Sequence, residues 1–574
     1  MRRLSSLAAL SLLFTAAAQA QLLRLALVTP NGGESFTEGS RVDVTWTPSP
    51  LQHVTAYRLL YSRDGGASYG ETLTPVLPAS VLAIDVLLPC GPTDTSRLKL
   101  EALSGTLPVL SDESDGTFLV TAAARCGSVD SADLVVPGTA SLTGANGARW
   151  ESEAVIANRG DTPLRVRATF HGETRSARPG APTAVYDVTA GASLSVEDVV
   201  ARLAEPGTAG AVSFRVEAGS PESLLAGART AAASEAGTFG FYLPGVNAAE
   251  ALGAGEEAVL FGAPDGAART NLGLFALEAS DLSVEVRGPS GHAVDRIELA
   301  LAEGEWRQLS DLGSGIHLHL RVGKGRVHAY GTVVSNSRSN DPLGSLALRV
   351  SGAAAELFVP AVASARGANG AVFTSDLWLQ NPGETTATGR LVFTARGASQ
   401  PAREVPFALA RGTVLFVRDL VRLAVPAGDA SGSLAITADS PLLASSVTST
   451  LGPLGIAAQE LPASRRDQAV SAADIAGIDE DVRFRTNLVL RNAGTVDARA
   501  ALSATASDGA TLGEVTLPVP AGTSVQLDRV LRLFTSASVS GARLTLRADQ
   551  PLLAVASKID NGTNDPTFLP FVPR

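Results

Sequence analysis

Apolar and polar residues alternate between Phe373 and Gln380. Phe373, Ser375, Leu377 and Leu379 fall on one face, and Thr374, Asp376, Trp378 and Gln380 on the other. A period of two over eight residues predicts a half-buried antiparallel strand. Asn381-Pro382-Gly383 then predicts a turn, glycine being the residue that accepts positive φ. The same phrase returns as FRTNLVLRNAG at 484–494 and as WESEAVIANRG at 150–160. A worn copy, ARTNLGLFALE, occupies 268–278, with Ala276 and Glu278 in place of the Asn and Gly. The copies start at Trp150, Ala268, Phe373 and Phe484, so the spacings are 118, 105 and 111 residues. Such spacings belong to tandem domains; solenoid repeats run ~20–50 residues.

The rest of each unit recurs too. GANGA precedes the strand at 144–148 and 367–371. The stretches LSVEDVVARL (194–203), LFVRDLVRL (415–423) and VQLDRVLRLF (525–534) carry apolar residues at helical spacing and predict two turns of helix on a sandwich edge. A Pro-containing strand pair closes each unit, and short β-branched or leucine runs punctuated by Gly, Pro and Asp fill the remainder. The pattern predicts an all-β chain of tandem Ig-like β-sandwich domains, beads on a string or a rod. The expected limits are a leader at 1–20, a first domain at 21–127, and repeats 1 to 4 at 128–246, 247–350 (divergent), 351–462 and 463–574. Junctions such as NAAEALGAGEE look short, so little flexibility is expected between units.

The leader reading rests on two arginines, an apolar run from Leu7 to Ala18, and Ala-Gln-Ala before Gln21, the layout of a secretory signal peptide. The remaining sequence offers no transmembrane segment, no lipid-accepting cysteine and no hydrophobic anchor tail. The formal charge of −11 becomes −13 without Arg2 and Arg3, which argues against nucleic acid as the main partner. Cys90 and Cys126 are the only cysteines and, in an exported protein, are expected to pair. That bridge would stabilise the first domain by roughly 3–4 kcal/mol.

Candidate chemistry is sparse. Ser68 lies in a Gly-x-Ser-x-Gly match, GASYG, but within a hairpin turn rather than a strand-to-helix elbow. A two-residue Lys324-Gly325 turn would place His317, His319 and His328 on one strand face as weak zinc candidates, with Arg321 among them. Asp560, Asn564 and Asp565 in DNGTNDP are weak calcium candidates, and NSRSNDP at 336–342 is a partial copy. Trp378, on the polar side of its strand, is the weak ligand-binding candidate; Trp306 and Tyr330 are further aromatics suited to stacking on sugars. No catalytic constellation and no cofactor motif stands out, so the chain reads as a non-enzyme.

Residues 28–120 carry a second signature: VTPNGGESFTEGSRVDVTWTP, then YRLLYSRDGGASY, then LSDESDGTFLV. On Pro30, Asn31, Gly32, Gly33, Glu34, Trp46, Ser62, Asp64, Gly65, Gly66, Asp112, Ser114, Asp115 and Phe118, this segment resembles the Ig-like domain of the Ser-Thr-rich, KNH-like cell-wall family of secreted proteins. The resemblance implies an accessory Ig-like sandwich with no catalytic residues. The whole reads as a secreted or cell-surface bacterial protein with a structural or adhesive role, its partner an envelope or extracellular protein or polysaccharide. The alternative is a carbohydrate-binding protein of the envelope or extracellular matrix.

Overall fold

The computed structural model describes residues 24–574 except 39, 50, 52, 70, 75, 90, 91, 106, 122–128, 130, 131, 145, 146, 173–182, 206 and 399. The leader and the expected Cys90–Cys126 bridge therefore lie outside the described residues. Almost every element is a β-strand, and the chain divides into two compact units, Met1–Cys126 and Gly127–Arg574.

In the first unit, a sheet of Ala26–Thr29, Arg41–Thr47 and Ala83–Leu87 shares one core with a sheet built on Ala56–Ser62, Thr93–Ser104 and Phe118–Thr121. Val42, Val44 and Trp46 alternate inward as the pattern predicts, and the Trp46 ring lies 5.6 Å from Tyr57. The conspicuous NGGE and DESDG segments meet. Glu34 accepts the backbone N–H groups of Asn31 (2.6 Å) and Gly32 (2.7 Å), while the Asn31 amide donates to Asp115 (2.7 Å). Gly32 has φ +129°, and a Cβ there would stand 2.6 Å from Cα of Gly116, so this contact excludes a side chain. Ser68 donates through Oγ and N–H to Asp64 (2.6 and 2.9 Å), which makes it a turn residue.

The second unit contains the repeats, and one device recurs in each. In repeat 3 the strand Ala430–Gly452 runs through both sheets. Its first half pairs with Ala354–Arg366 and Ala387–Ala395; its second half pairs with Val372–Gln380 and Gly455–Pro462. Pro441 lies in the unpaired stretch between them, where its missing N–H costs no ladder bond. Val539–Asp560 crosses likewise in repeat 4, with Pro551 at the crossing. Repeat 1 breaks the crossing with a short turn at Pro221–Ser223, and repeat 2 breaks it at Gly325, φ +78°.

That crossing corrects the expected Lys324-Gly325 hairpin. His317–Lys324 pairs with Glu257–Phe261 and Ser280–Arg287, whereas Arg326–Ser335 pairs with Ala268–Ala276 and Pro342–Leu346. The two strands belong to opposite sheets. The expected edge helices are also shorter than two turns. Ser193–Val196, Val414–Val417 and Ser524–Leu527 are strands, and Asp198, Asp419 and Arg529 then adopt positive φ (41°, 41°, 53°). Only Val199–Leu203, Leu420–Ala424 and Val530–Leu533 are helical.

The Asn of the repeated phrase holds the sheet ends together. Asn492 donates to the carbonyls of Val496 (2.8 Å) and Val519 (2.9 Å) and accepts from Gly494 N–H (2.9 Å), with none of its surface exposed. Asn381 makes the matching set with Thr385, Leu409 and Gly383, and Asn158 with Thr162, Val188, Thr189 and Gly160. Alanine at Asn492 leaves the buried Val519 carbonyl without its partner and removes the two bonds that close the exposed turn at Gly494 and Val496. A loss of about 1–3 kcal/mol is expected from urea unfolding.

The repeats do not form a string or a rod. The closing strands Thr238–Pro244, Pro342–Leu346, Gly455–Pro462 and Pro566–Pro570 each touch the next, and the last touches the first. An apolar cluster also seals each neighbouring pair. Trp150 and Ala232 meet Val334; Val259 and Phe261 meet Trp378, Val414 and Leu443; Phe358 meets Ala493 and Leu553; Val155, Ala157 and Leu225 meet Ala476. Repeat 4 thus returns to repeat 1, and the four sandwiches of this unit close into a ring. The expectation of separated beads fails because strands taken as half-solvated bury both faces, one on their own core and one on a neighbour.

Candidate functional site at the ring junctions

The aromatics selected as sugar-stacking candidates are buried between repeats. Trp378 is 5% exposed, stacked on Phe261 at 5.6 Å with a 5° interplanar angle, and its centroid is 4.4 Å from Phe416. Trp306 donates Nε1–H to the Pro137 carbonyl of repeat 1 (2.8 Å), and Tyr330 lies over Gly138 and Gly273. The polar side of the Trp378 strand is therefore a repeat-to-repeat face, and no ring of these three offers a free surface for a sugar.

The three histidines are not one cluster. His317 (0% exposed) and His319 lie in one sheet, with His319 3.4 Å from Glu257; His328 (3% exposed) pairs opposite Phe275 in the other. Among the described residues no three His, Cys, Asp or Glu side chains are grouped to hold a metal. Burial, with Arg287 as a second cause, lowers His317 to about 4. Burial also lowers His328 to about 3 and, beside Arg215, His171 to about 4. Unfolding between these values and the ordinary 6.5 takes up protons, so this contribution to stability is present above pH 6.5 and lost as pH falls towards 4. Replacing His317 by Phe is expected to reduce that acid slope by about 1.4 kcal/mol per pH unit, measured by urea unfolding from pH 4.5 to 6.5.

The calcium candidates also change role. Asp560 accepts from Thr238 N–H and Oγ1 (both 2.9 Å), Gly562 N–H (2.9 Å) and Thr563 N–H (3.1 Å). Asn564, φ +60°, accepts from Arg485 (3.2 Å). Asp565 accepts from Gly240 N–H (2.8 Å) and the Arg229 guanidinium (3.2 Å). Asp560 and Asp565 thus fasten repeat 4 to repeat 1, whereas Asn564 ties to Arg485 within repeat 4.

Around them lies a polar junction that joins all four repeats. Arg229 of repeat 1 reaches Thr238, Thr567 and Asp565. Asp341 of repeat 2 hydrogen-bonds the Asp565 carboxyl of repeat 4 and accepts from Ala458 N–H of repeat 3. Glu460 of repeat 3 accepts from Ser445 (2.6 Å) and from Ser345 of repeat 2 (3.0 Å); Ser557 of repeat 4 donates to Gln459 (2.9 Å). Burial raises Glu460 above the usual carboxylate range.

A second charged junction joins repeats 1 and 4. Asp474, with no exposed side-chain surface, is 2.7 Å from Arg574, 3.3 Å from Arg543 and 3.7 Å from Arg159. The adjoining cavity, lined by Val155, Leu225, Tyr242 and Ile475 among others, has about 20 Å³. That is room for one water, whereas small-molecule sites run ~300–1,000 Å³. Sequence reasoning missed Arg229, Asp341, Glu460 and Asp474. The one signal was the Asn-Asp-Pro shared by 340–342 and 564–566, which reads equally well as a turn.

No protein-family model matches the chain, and no curated protein matches it. Among solved structures it is similar to a Thermotoga maritima protein described only as 1070, at 19% identity over 20% of this chain and 94% of that one, TM-score 0.17. It also aligns with a Bacteroides ovatus SGBP-B of a mixed-linkage glucan utilization locus, in complex with a heptasaccharide, at 10% identity over 72% and 97%, TM-score 0.12. An Escherichia coli alpha-2-macroglobulin aligns at 10% identity over 94% and 52%, TM-score 0.11. Among the described residues no helix is long and apolar enough to cross a membrane. Overlaps this weak leave the chain outside any shown family, an all-β protein of tandem sandwiches.

Proposed function

We propose that the chain is a non-catalytic structural or adhesive protein of the cell exterior, exported through residues 1–20. In this reading the first unit is an accessory module and the four repeats act as one closed body. The observation that supports it most is where the unusual side chains go: Trp378, Trp306, Tyr330, Arg229, Asp341, Asp565 and Asp474 all face another repeat. Catalysis needs such groups aimed at a cleft that admits substrate. Here they join one repeat to the next, and the sequence repetition supplies four mutually fitting wedges.

The test is co-sedimentation of residues 21–574 with peptidoglycan, insoluble polysaccharides and whole envelopes. Saturable binding to envelopes that protease treatment of the envelopes abolishes is the expected result. Saturable binding to a purified polysaccharide would replace this reading with the carbohydrate-binding one. Sequencing of the exported protein is expected to begin at Gln21.

A further inference from the structure

Asp341 and Asp565 occupy equivalent places in repeats 2 and 4: each precedes the proline that opens its closing strand. They meet inside the ring at 3% and 0% exposure. Each has a backbone donor from the repeat beside it, Ala458 for Asp341 and Gly240 for Asp565. The Oδ1 atom of each accepts from no donor group, and the two carboxyls hydrogen-bond to one another. Two carboxylates have no hydrogen between them to share, so this contact requires one carboxyl to carry a proton. We propose that the Asp341–Asp565 pair is a buried proton-binding site that fastens repeat 2 to repeat 4 across the ring, with Asp341 as the protonated donor and Asp565 as the carboxylate held by Arg229.

Charge and geometry agree on that assignment. The charged groups facing the pair are Arg229 and Asp560, and Asp560 already takes four donors from Thr238, Gly562 and Thr563. One guanidinium balances one carboxylate of the pair; a second negative charge would be buried without a partner. Burial, then the neighbouring Asp565, pushes Asp341 well above the usual carboxylate range, and burial pushes Asp565 up as well, against the pull of Arg229. A folded-state acid raised in this way contributes stability that is full below its unfolded value near 4 and declines as pH rises through the folded value. The buried histidines act in the opposite sense only below pH 6.5, and Glu460, also raised by burial, acts in the same sense as the pair, so the comparison of wild type with an Asp341 variant above pH 7 isolates the pair.

The experiment uses the full chain, wild type and Asp341→Asn, with thermal midpoints taken from pH 7 to 9. Asparagine still donates to Asp565 but has nothing to ionise. The wild-type midpoint is expected to fall by about 1–2 °C per pH unit more steeply than that of the variant. Equal slopes would overturn the proposal. Infrared difference spectra of the wild type labelled with carboxyl-¹³C aspartate give an independent reading that does not need a folded variant. A protonated aspartic carboxyl at pH 7 supports the pair, and its absence at pH 7 overturns it. Stabilisation by excess calcium that Asp565→Asn abolishes would put a cation in the proton's place and would also overturn it.

Discussion

Replacing Trp378 by alanine unfastens repeat 2 from repeat 3 and lowers stability by about 3–5 kcal/mol. The indole is almost wholly buried, so the change removes its transfer free energy and leaves a void. The void opens between Phe261, Val414, Phe416 and Leu443, which cannot close it without moving one sandwich against the other. The ion pair at this junction is exposed and weak by comparison: Arg418–Asp265, 65% and 47% exposed, is worth less than ~1 kcal/mol. The denaturant midpoint of the variant is expected to fall, and proteases are expected to cut between 347 and 354 earlier than in the wild type. A variant as stable as the wild type would mean that the stacked pair does not hold the junction.

Asp474→Ala carries the second large effect. Asp474 is the carboxylate against which Arg543, Arg574 and Arg159 of three segments are packed, and Thr545 donates to it at 2.5 Å. Burial is the main cause lowering Arg543 and Arg159, with Asp474 working to raise both back. Its removal leaves three guanidinium groups facing one another, Arg543 nearly buried, at a cost of about 3 kcal/mol or more. Added salt is expected to recover part of the loss, because it screens the mutual repulsion of the more exposed Arg159 and Arg574. Equal losses at low and high salt would assign the effect to packing alone.

The architecture was legible where local chemistry repeats. Alternation in Phe373–Gln380, the Asn-x-Gly turn and the recurring spacing name a strand, its end and its copy number, and Val42, Val44 and Trp46 point inward as their spacing requires. The ring was not legible, because it depends on what the outward faces of those strands meet. Trp378 broke the alternation rule and drew attention for a sound reason, yet an exposed ligand platform and an inter-repeat wedge look alike along the chain. Gly325 misled in another way. Repeats 3 and 4 mark the crossing between sheets with Pro441 and Pro551, and repeat 2 uses a glycine that reads as a hairpin turn. Asp341 and Asp565 stood in matching Asn-Asp-Pro segments 224 residues apart, and only the closure of the ring brings their carboxyls together.

The seam between repeats 4 and 1 has a consequence for how the chain is made. Synthesis runs from the first repeat to the last, so Val155, Ala157 and Leu225 emerge more than 200 residues before their partner Ala476. Through that interval repeat 1 carries an apolar flank that fits the fourth repeat of any copy of this chain, not only its own. Crowded nascent chains are therefore exposed to cross-closure into linked rings, the same hazard that makes hinge-swapped dimers. Speed of completion, more than final stability, decides whether each polypeptide ends as its own closed circle.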